Sequence, residues 1–262
     1  MSNPLLTSLK IPGEIVRLPS GGLFYDEGVI DPSVTNAEVT VYPMSAYDEI
    51  CMRNIGEVIN GRSISNVFSR CIPQILQPDE LSGKDVDTLF MVLRKVTYGS
   101  TLMVTYKHDC EESKTHKYSI SLNNILNTVK YIDPSLIDDE FTVVLENGQV
   151  VQLRPLKFKD ILSIMSDAKD IDYNDFSHFD IQQKLLRSTV HLIKSVDDIK
   201  DPALIQEWLD TIPVTWFTQI TDKSGLSNSW GTENTYTITC EDCGKEIVID
   251  VPVNPLTFFL DF

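Results

Sequence analysis

Two stretches of the chain, 112 residues apart, carry one and the same pattern. Val39-Thr-Val41-Tyr-Pro43-Met44 runs on to Asp48 and Ile50, and Val151-Gln-Leu153-Arg-Pro155-Leu156 runs on to Asp160 and Leu162. In each, alternating apolar residues stop at a proline, which cannot donate to a strand ladder. Five residues beyond that proline an Asp stands where a new helix would begin, and a carboxylate there suits the positive end of the helix dipole. The pattern predicts a strand, a proline break and a capped helix, twice.

Later segments match in the same order, at offsets of up to 130 residues. Asp85 to Val96 has helical spacing, and so does Asp201 to Leu209, which opens with an N-cap Asp and a first-turn Pro. An alternating strand then leads into a cysteine turn, at Cys110 in one case and at Cys240 and Cys243 in the other. Returning strands follow at 117–122 and 246–251. Four matched segments in one order point to two similar hairpin–helices–hairpin halves, a pseudo-twofold internal repeat. The fold class expected is α+β, with sheets covered on one face. The division is 1–130 for the first half and 131–262 for the second, which also carries an apolar C-terminal tail.

Between these anchors the reading is coarser. A long helical stretch is expected from Ala46 to about Arg70, broken near Asn60-Gly61. Asn147-Gly148 between two apolar runs predicts a type I′ hairpin turn. Lys184 to Val196 carries an apolar stripe at helical spacing, Pro213 to Ile220 a shorter helix, and Thr221 to Asn234 reads as a loop.

Charge narrows the function classes. With 22 Lys+Arg against 38 Asp+Glu the formal charge is −16, and no Lys/Arg run gathers the basic groups. Such a chain repels nucleic acid and anionic membranes. No apolar run reaches the roughly 20 residues needed to span a bilayer, and the N-terminus lacks the pattern of a signal peptide. Five cysteines, an odd number, fit reducing cytosol better than a disulfide framework.

Cys240-Glu-Asp-Cys243-Gly244 is the sharpest chemical motif. Two thiols at this spacing on a hairpin bend form one knuckle of a zinc ribbon, because both sulfurs can face one tetrahedral ion. The matching turn offers Cys110, with Ser113 where its second thiol would stand and His108 or His116 as substitutes. The candidate ligand set is Cys110, Cys240, Cys243 and His108 for a structural zinc, and the alternative is a pair of buried thiols that pack as small apolar groups. Asp170-Ile-Asp172-Tyr-Asn174 fails as a calcium loop, since Asp175 replaces the turn glycine and Ile181 the bidentate Glu. Gly21-Gly22 lacks the Lys-Ser/Thr of a phosphate loop. With no nucleophile elbow, HExxH motif or Ser/His/Asp arrangement, the expectation is a protein without enzymatic activity, acting by protein–protein binding. Candidate contact groups are Leu23, Phe24 and Tyr25 in the glycine turn, and Leu256, Phe258, Phe259 and Phe262 in the tail. Large apolar groups left exposed mark such surfaces.

Leu18-Pro-Ser20-Gly-Gly22-Leu23-Phe24-Tyr25, Val41-Tyr-Pro43-Met44-Ser-Ala-Tyr-Asp48-Glu49, Arg94-Lys-Val-Thr97-Tyr98-Gly99 and the cysteine hairpin together resemble the baseplate hub subunits of T4-like contractile-tailed phages. The likeness covers most of the first half; the repeat and the closing hairpin with Phe258-Phe259 carry it through the second. The resemblance implies a non-catalytic part in assembling the central hub, with other hub or tape-measure proteins as partners and self-association left open. It places the chain in the host cytoplasm during assembly and leaves open whether it stays in the virion tail baseplate. The alternative is an assembly chaperone that holds a hub or tape-measure protein and is absent from the virion. The single cysteine of the first knuckle departs from a paired pattern, which leaves the metal open.

Overall fold

The computed structural model describes residues 11–59, 61–107, 115–168, 186–226 and 230–251. Strands β1 (Glu14–Arg17) and β2 (Glu38–Val41) pair antiparallel and lead to helices α1 (Ala46–Met52), α2 (Ile55–Ile59) and α3 (Arg62–Cys71). A 3-10 turn at Pro78–Glu80 precedes the long helix α4 (Gly83–Tyr98). The hairpin β3 (Thr101–Lys107) and β4 (Thr115–Ser121) follows, then α5 (Leu122–Leu126) and α6 (Ile137–Glu140). The third sheet is β5 (Thr142–Val144), β6 (Val150–Leu153) and β7 (Ile193–Val196), in that order, with α7 (Phe158–Ala168) between β6 and β7 in the chain. Helices α8 (Pro202–Leu209) and α9 (Val214–Leu226) lead to the last hairpin, β8 (Thr235–Thr239) and β9 (Glu246–Asp250). The protein is a mixed α+β fold of helices and small antiparallel sheets.

Both strand–proline–helix joints form. At the first, Ser45 caps α1 and Asp48 returns the bond, its Oδ2 accepting from the Ser45 backbone N–H at 2.9 Å. At the second, Asp160 Oδ2 accepts from the Lys157 backbone N–H at 3.0 Å. In each case the Asp satisfies the N–H three residues before it, and in each it is buried. Asp201 caps α8 through the Ala203 N–H, with Pro202 in the first turn, as expected.

Three local expectations are corrected. The Asn147-Gly148 turn is not type I′, because Gly148 alone has positive φ, at 86°. Gly148 N–H bonds to Leu145 C=O and Leu145 N–H to Gln149 C=O, the three-residue loop in which a left-handed Gly follows a type I turn. The stripe from Lys184 does not stay helical. After a 3-10 turn at Val190–Leu192, residues 193–196 form β7 on β6, where pairing satisfies β6's second edge and β-branched Ile193 and Val196 are buried. The polar run after Ile220 continues α9 to Leu226, with the Thr221 and Ser224 hydroxyls bonded back to carbonyls of the preceding turn. The expected break near Gly61 is present, and a further one at Arg53-Asn54 divides α1 from α2.

Two large apolar clusters form, and they interlock. The first gathers Leu18, Val39, Phe68, Phe90 and their neighbours, and takes Phe158 and Val251 from the second half. The second gathers Phe141, Val151, Ile205 and Trp230, and receives Phe24 from the first half. Backbone bonds knit the halves as well. Gly83 N–H donates to Leu156 C=O at 2.9 Å and Phe158 N–H to Leu81 C=O at 2.7 Å. A third, small cluster joins the two hairpins through Tyr118, Ile238 and Ile249.

Candidate binding site

The glycine turn is held from beneath by a buried carboxylate. Gly21 and Gly22 take φ of 61° and 77°, a left-handed pair that side chains with a Cβ rarely adopt. This brings Ser20 and Tyr25 together over the start of α4. Asp85 Oδ1 accepts from the Ser20 backbone N–H at 2.9 Å, and its Oδ2 accepts from Ser20 Oγ at 2.5 Å and from the Tyr25 hydroxyl. That hydroxyl in turn accepts from the Ser82 N–H at 2.9 Å, while Ser82 Oγ caps α4 through the Asp85 N–H. Burial pushes the Asp85 carboxyl above its ordinary range, opposed by the hydrogen bonds from Ser20, Tyr25 and Ser82. Burial, and then the neighbouring Asp85, push the Tyr25 phenol well up, so it keeps its proton as the donor.

This clasp sorts the three expected contact residues. Tyr25 is spent inside on Asp85, and Phe24 lies between Phe141 and Trp230, with ring centroids 5.0 and 5.8 Å away. Leu23 is exposed. The other expected contact residues, Leu256, Phe258, Phe259 and Phe262, lie outside the described residues.

Leu23, Phe24 and Tyr25 form one wall of a cleft of about 770 Å³ where the halves meet. The opposite walls come from α6 and β5, the second strand–proline–helix joint, and β7 with the loop into α8. Asp160 sits at the joint between Arg154, whose Nη1 donates to Oδ2 at 2.6 Å, and His191, whose Nδ1 is 3.1 Å from Oδ1. Lys157 reaches Glu80 at 2.7 Å, and Lys159 pairs with the same carboxylate. Lys194 and Lys200 are exposed on β7 and in the loop after it. Five cations from two separate stretches of the chain thus converge on one opening. One signal was legible: Arg154, Lys157 and Lys159 fall within six residues of a chain poor in basic groups. Lys194, Lys200 and the clasp residue Asp85 gave none, since their roles depend on which elements pack together.

The cysteine hairpin forms with the expected strands. Gly244 N–H bonds to Cys240 C=O and Cys240 N–H to Lys245 C=O, both at 2.9 Å. Cys240 is buried against Tyr118 of the other hairpin, and burial, then this thiol, push the Tyr118 phenol up to about 12. Cys243 is exposed. Among the described residues no three His, Cys, Asp or Glu side chains stand close enough to hold a metal ion; His108 and Cys110 lie outside those residues.

The chain matches the family model described as T4 bacteriophage base plate protein over residues 47–260, most of its length. It belongs to that family. No curated protein and no solved structure matches it. As a T4-type base plate protein it is a structural component of the phage tail baseplate, in contact with other baseplate proteins. The match begins within α1 and takes in the β3–β4, β5–β6 and β8–β9 hairpins and every wall of the cleft except the one made by the glycine turn. No helix among the described residues is long and apolar enough to cross a membrane.

Proposed function

We propose that this base plate protein is a non-enzymatic member of the central hub and acts in hub assembly by binding other proteins at the cleft between its halves. The observation that carries this reading is the cleft's composition. An exposed Leu23 stands beside converging cations in a chain of formal charge −16. Apolar groups kept exposed beside complementary charge are how a protein surface recognises a partner. Arg154 pairs with Asp160 and Lys157 with Glu80, so these cations also fix the shape of the wall that a partner would meet.

The test is mass spectrometry of purified virions and of isolated hub subassemblies, combined with a stop codon in the gene. The expected result is stoichiometric retention in the virion and failure of hub assembly without the protein. Hubs that assemble normally without it would overturn the reading. Hubs that need it while finished virions lack it would replace hub membership with a transient holding role.

A further inference from the structure

Counted with Glu80, the ionic groups of the cleft leave about one positive charge in excess, within a chain of formal charge −16. Arg154, Lys157, Lys159, Lys194 and Lys200 line it, against the carboxylates of Asp26, Asp138 and Asp160. Three of the cations have work to do within the wall. Arg154 is committed to Asp160, and Lys157 and Lys159 share Glu80, which leaves that pair with one positive charge in excess. Lys194 and Lys200 are exposed at the opening. The apolar contribution comes from the side where Leu23 stands, 46% exposed, held by the clasp on Asp85 rather than on a loose loop.

We infer that this cleft receives a short acidic segment of another baseplate protein, one that sets carboxylates beside a single large apolar side chain. The inference rests on the protein-binding reading above and names the chemistry of the partner. Lys194, Lys200 and the uncompensated charge of the Lys157–Lys159 pair attract a carboxylate, offset in part by Asp26 and Asp138. Length discriminates as well. A nucleic acid lodged in the cleft would run out onto a surface of strongly negative overall charge, and its binding draws on many phosphate contacts in succession. A short peptide ends before it meets that repulsion. Leu23 then selects among acidic segments, because an all-carboxylate peptide offers it nothing to cover.

The experiment uses the full chain and fluorescence anisotropy. The probe is a short labelled peptide of Glu and Asp flanking Leu-Phe; the comparisons are the same peptide with Lys for each acid, and a short oligothymidylate. The acidic peptide should bind at low salt and weaken as salt rises. The double variant Lys194→Glu/Lys200→Glu should weaken it at least about tenfold, with the melting temperature unchanged because both side chains are exposed. Leu23→Ser should weaken it severalfold while leaving the salt dependence as it was. Equal binding of the lysine peptide or the oligothymidylate, or undiminished binding by the double variant, would overturn the assignment. Calorimetry against each sibling baseplate protein separates the two levels of the argument. A sibling that binds wild type and double variant equally keeps protein binding as the mode of action and moves it away from the cleft. If no sibling binds the wild type, the protein-binding reading itself falls.

Discussion

The two strand–proline–helix joints begin alike and end differently. At each, a buried Asp closes the first turn of a helix by accepting the N–H three residues earlier. Asp48 then meets Arg70, which arrives from the far end of α3, is half exposed, and lies 2.7 Å from Oδ1 in an ion pair not aligned as a hydrogen bond. Asp160 meets Arg154 from its own joint, well aligned and largely buried, and His191 besides. The first joint packs within the core of its own half. The second is clamped across the molecule by the Gly83–Leu156 and Phe158–Leu81 bonds, and its charged side faces the cleft. A local motif settles how a helix starts. What its polar side is used for depends on the neighbours that arrive later.

Separating the halves is the strongest way to break this comparison. Each large cluster draws mostly on its own half, but the second joint depends on Leu81 and Gly83 of the first half for its clamp. A fragment 1–130 should keep a cooperative thermal transition at lowered temperature, and 131–262 alone should lose its own. Circular dichroism melts of the two fragments check this, and two independent transitions that sum to the parent's would mean the halves are separable domains.

Removing the carboxylates should separate the joints next. Asp160→Ala strands a largely buried Arg154 and should cost about 3 kcal/mol. Asp48→Ala removes the returning bond of the Ser45 capping box and leaves Arg70 in water, for about 1 kcal/mol. Urea denaturation measures both, and equal losses would show that the capping bond, not the buried guanidinium, dominates at each.

Helix α4 offers a third contrast. Asp85 binds the first-half turn, while Asp87 faces Asn234 of the second half and is pushed up to about 6, by burial above all. Its folded pKa lies above its unfolded one, so its contribution is fully present below about pH 4 and is lost as pH rises through 6. Asp87→Asn should therefore stabilise the protein at pH 7, by on the order of 1–3 kcal/mol, and hardly at all at pH 4. A melting-temperature difference between variant and parent that does not grow over that window would refute the assignment.

The smallest effect is expected at the cleft's rim. Lys194→Ala and Lys200→Ala should each change stability by less than about 0.5 kcal/mol, in contrast with the Asp160 change a few residues away in space. A larger loss in the same denaturation series would place these lysines in the fold's own support.

How far the sequence reached depended on the range of the interactions involved. Pro43, Asp48, Pro155, Asp160 and the Asp201-Pro202 start are signals that act within a few residues, and each sits where it was expected. Asn147-Gly148 specified a tight turn yet not its type, because one more loop residue lets Asn147 keep negative φ. The stripe at 193–196 satisfied helical spacing equally well, and the open edge of β6 decided for a strand. Leu23, Phe24 and Tyr25 were legible as a group, but their division into one exposed and two engaged side chains was not.

The sequence by itself determined the element types around its prolines and caps, the acidic balance, and membership in the base plate family, since these rest on residue identity and short-range geometry. Tertiary structure alone decided the clasp on Asp85, 65 residues from Ser20, and the gathering of cations drawn from 154–159 and 194–200 around one cleft. Formal charge adds along a chain whatever its fold, whereas a local field depends on distance and dielectric, and only the packed molecule sets those.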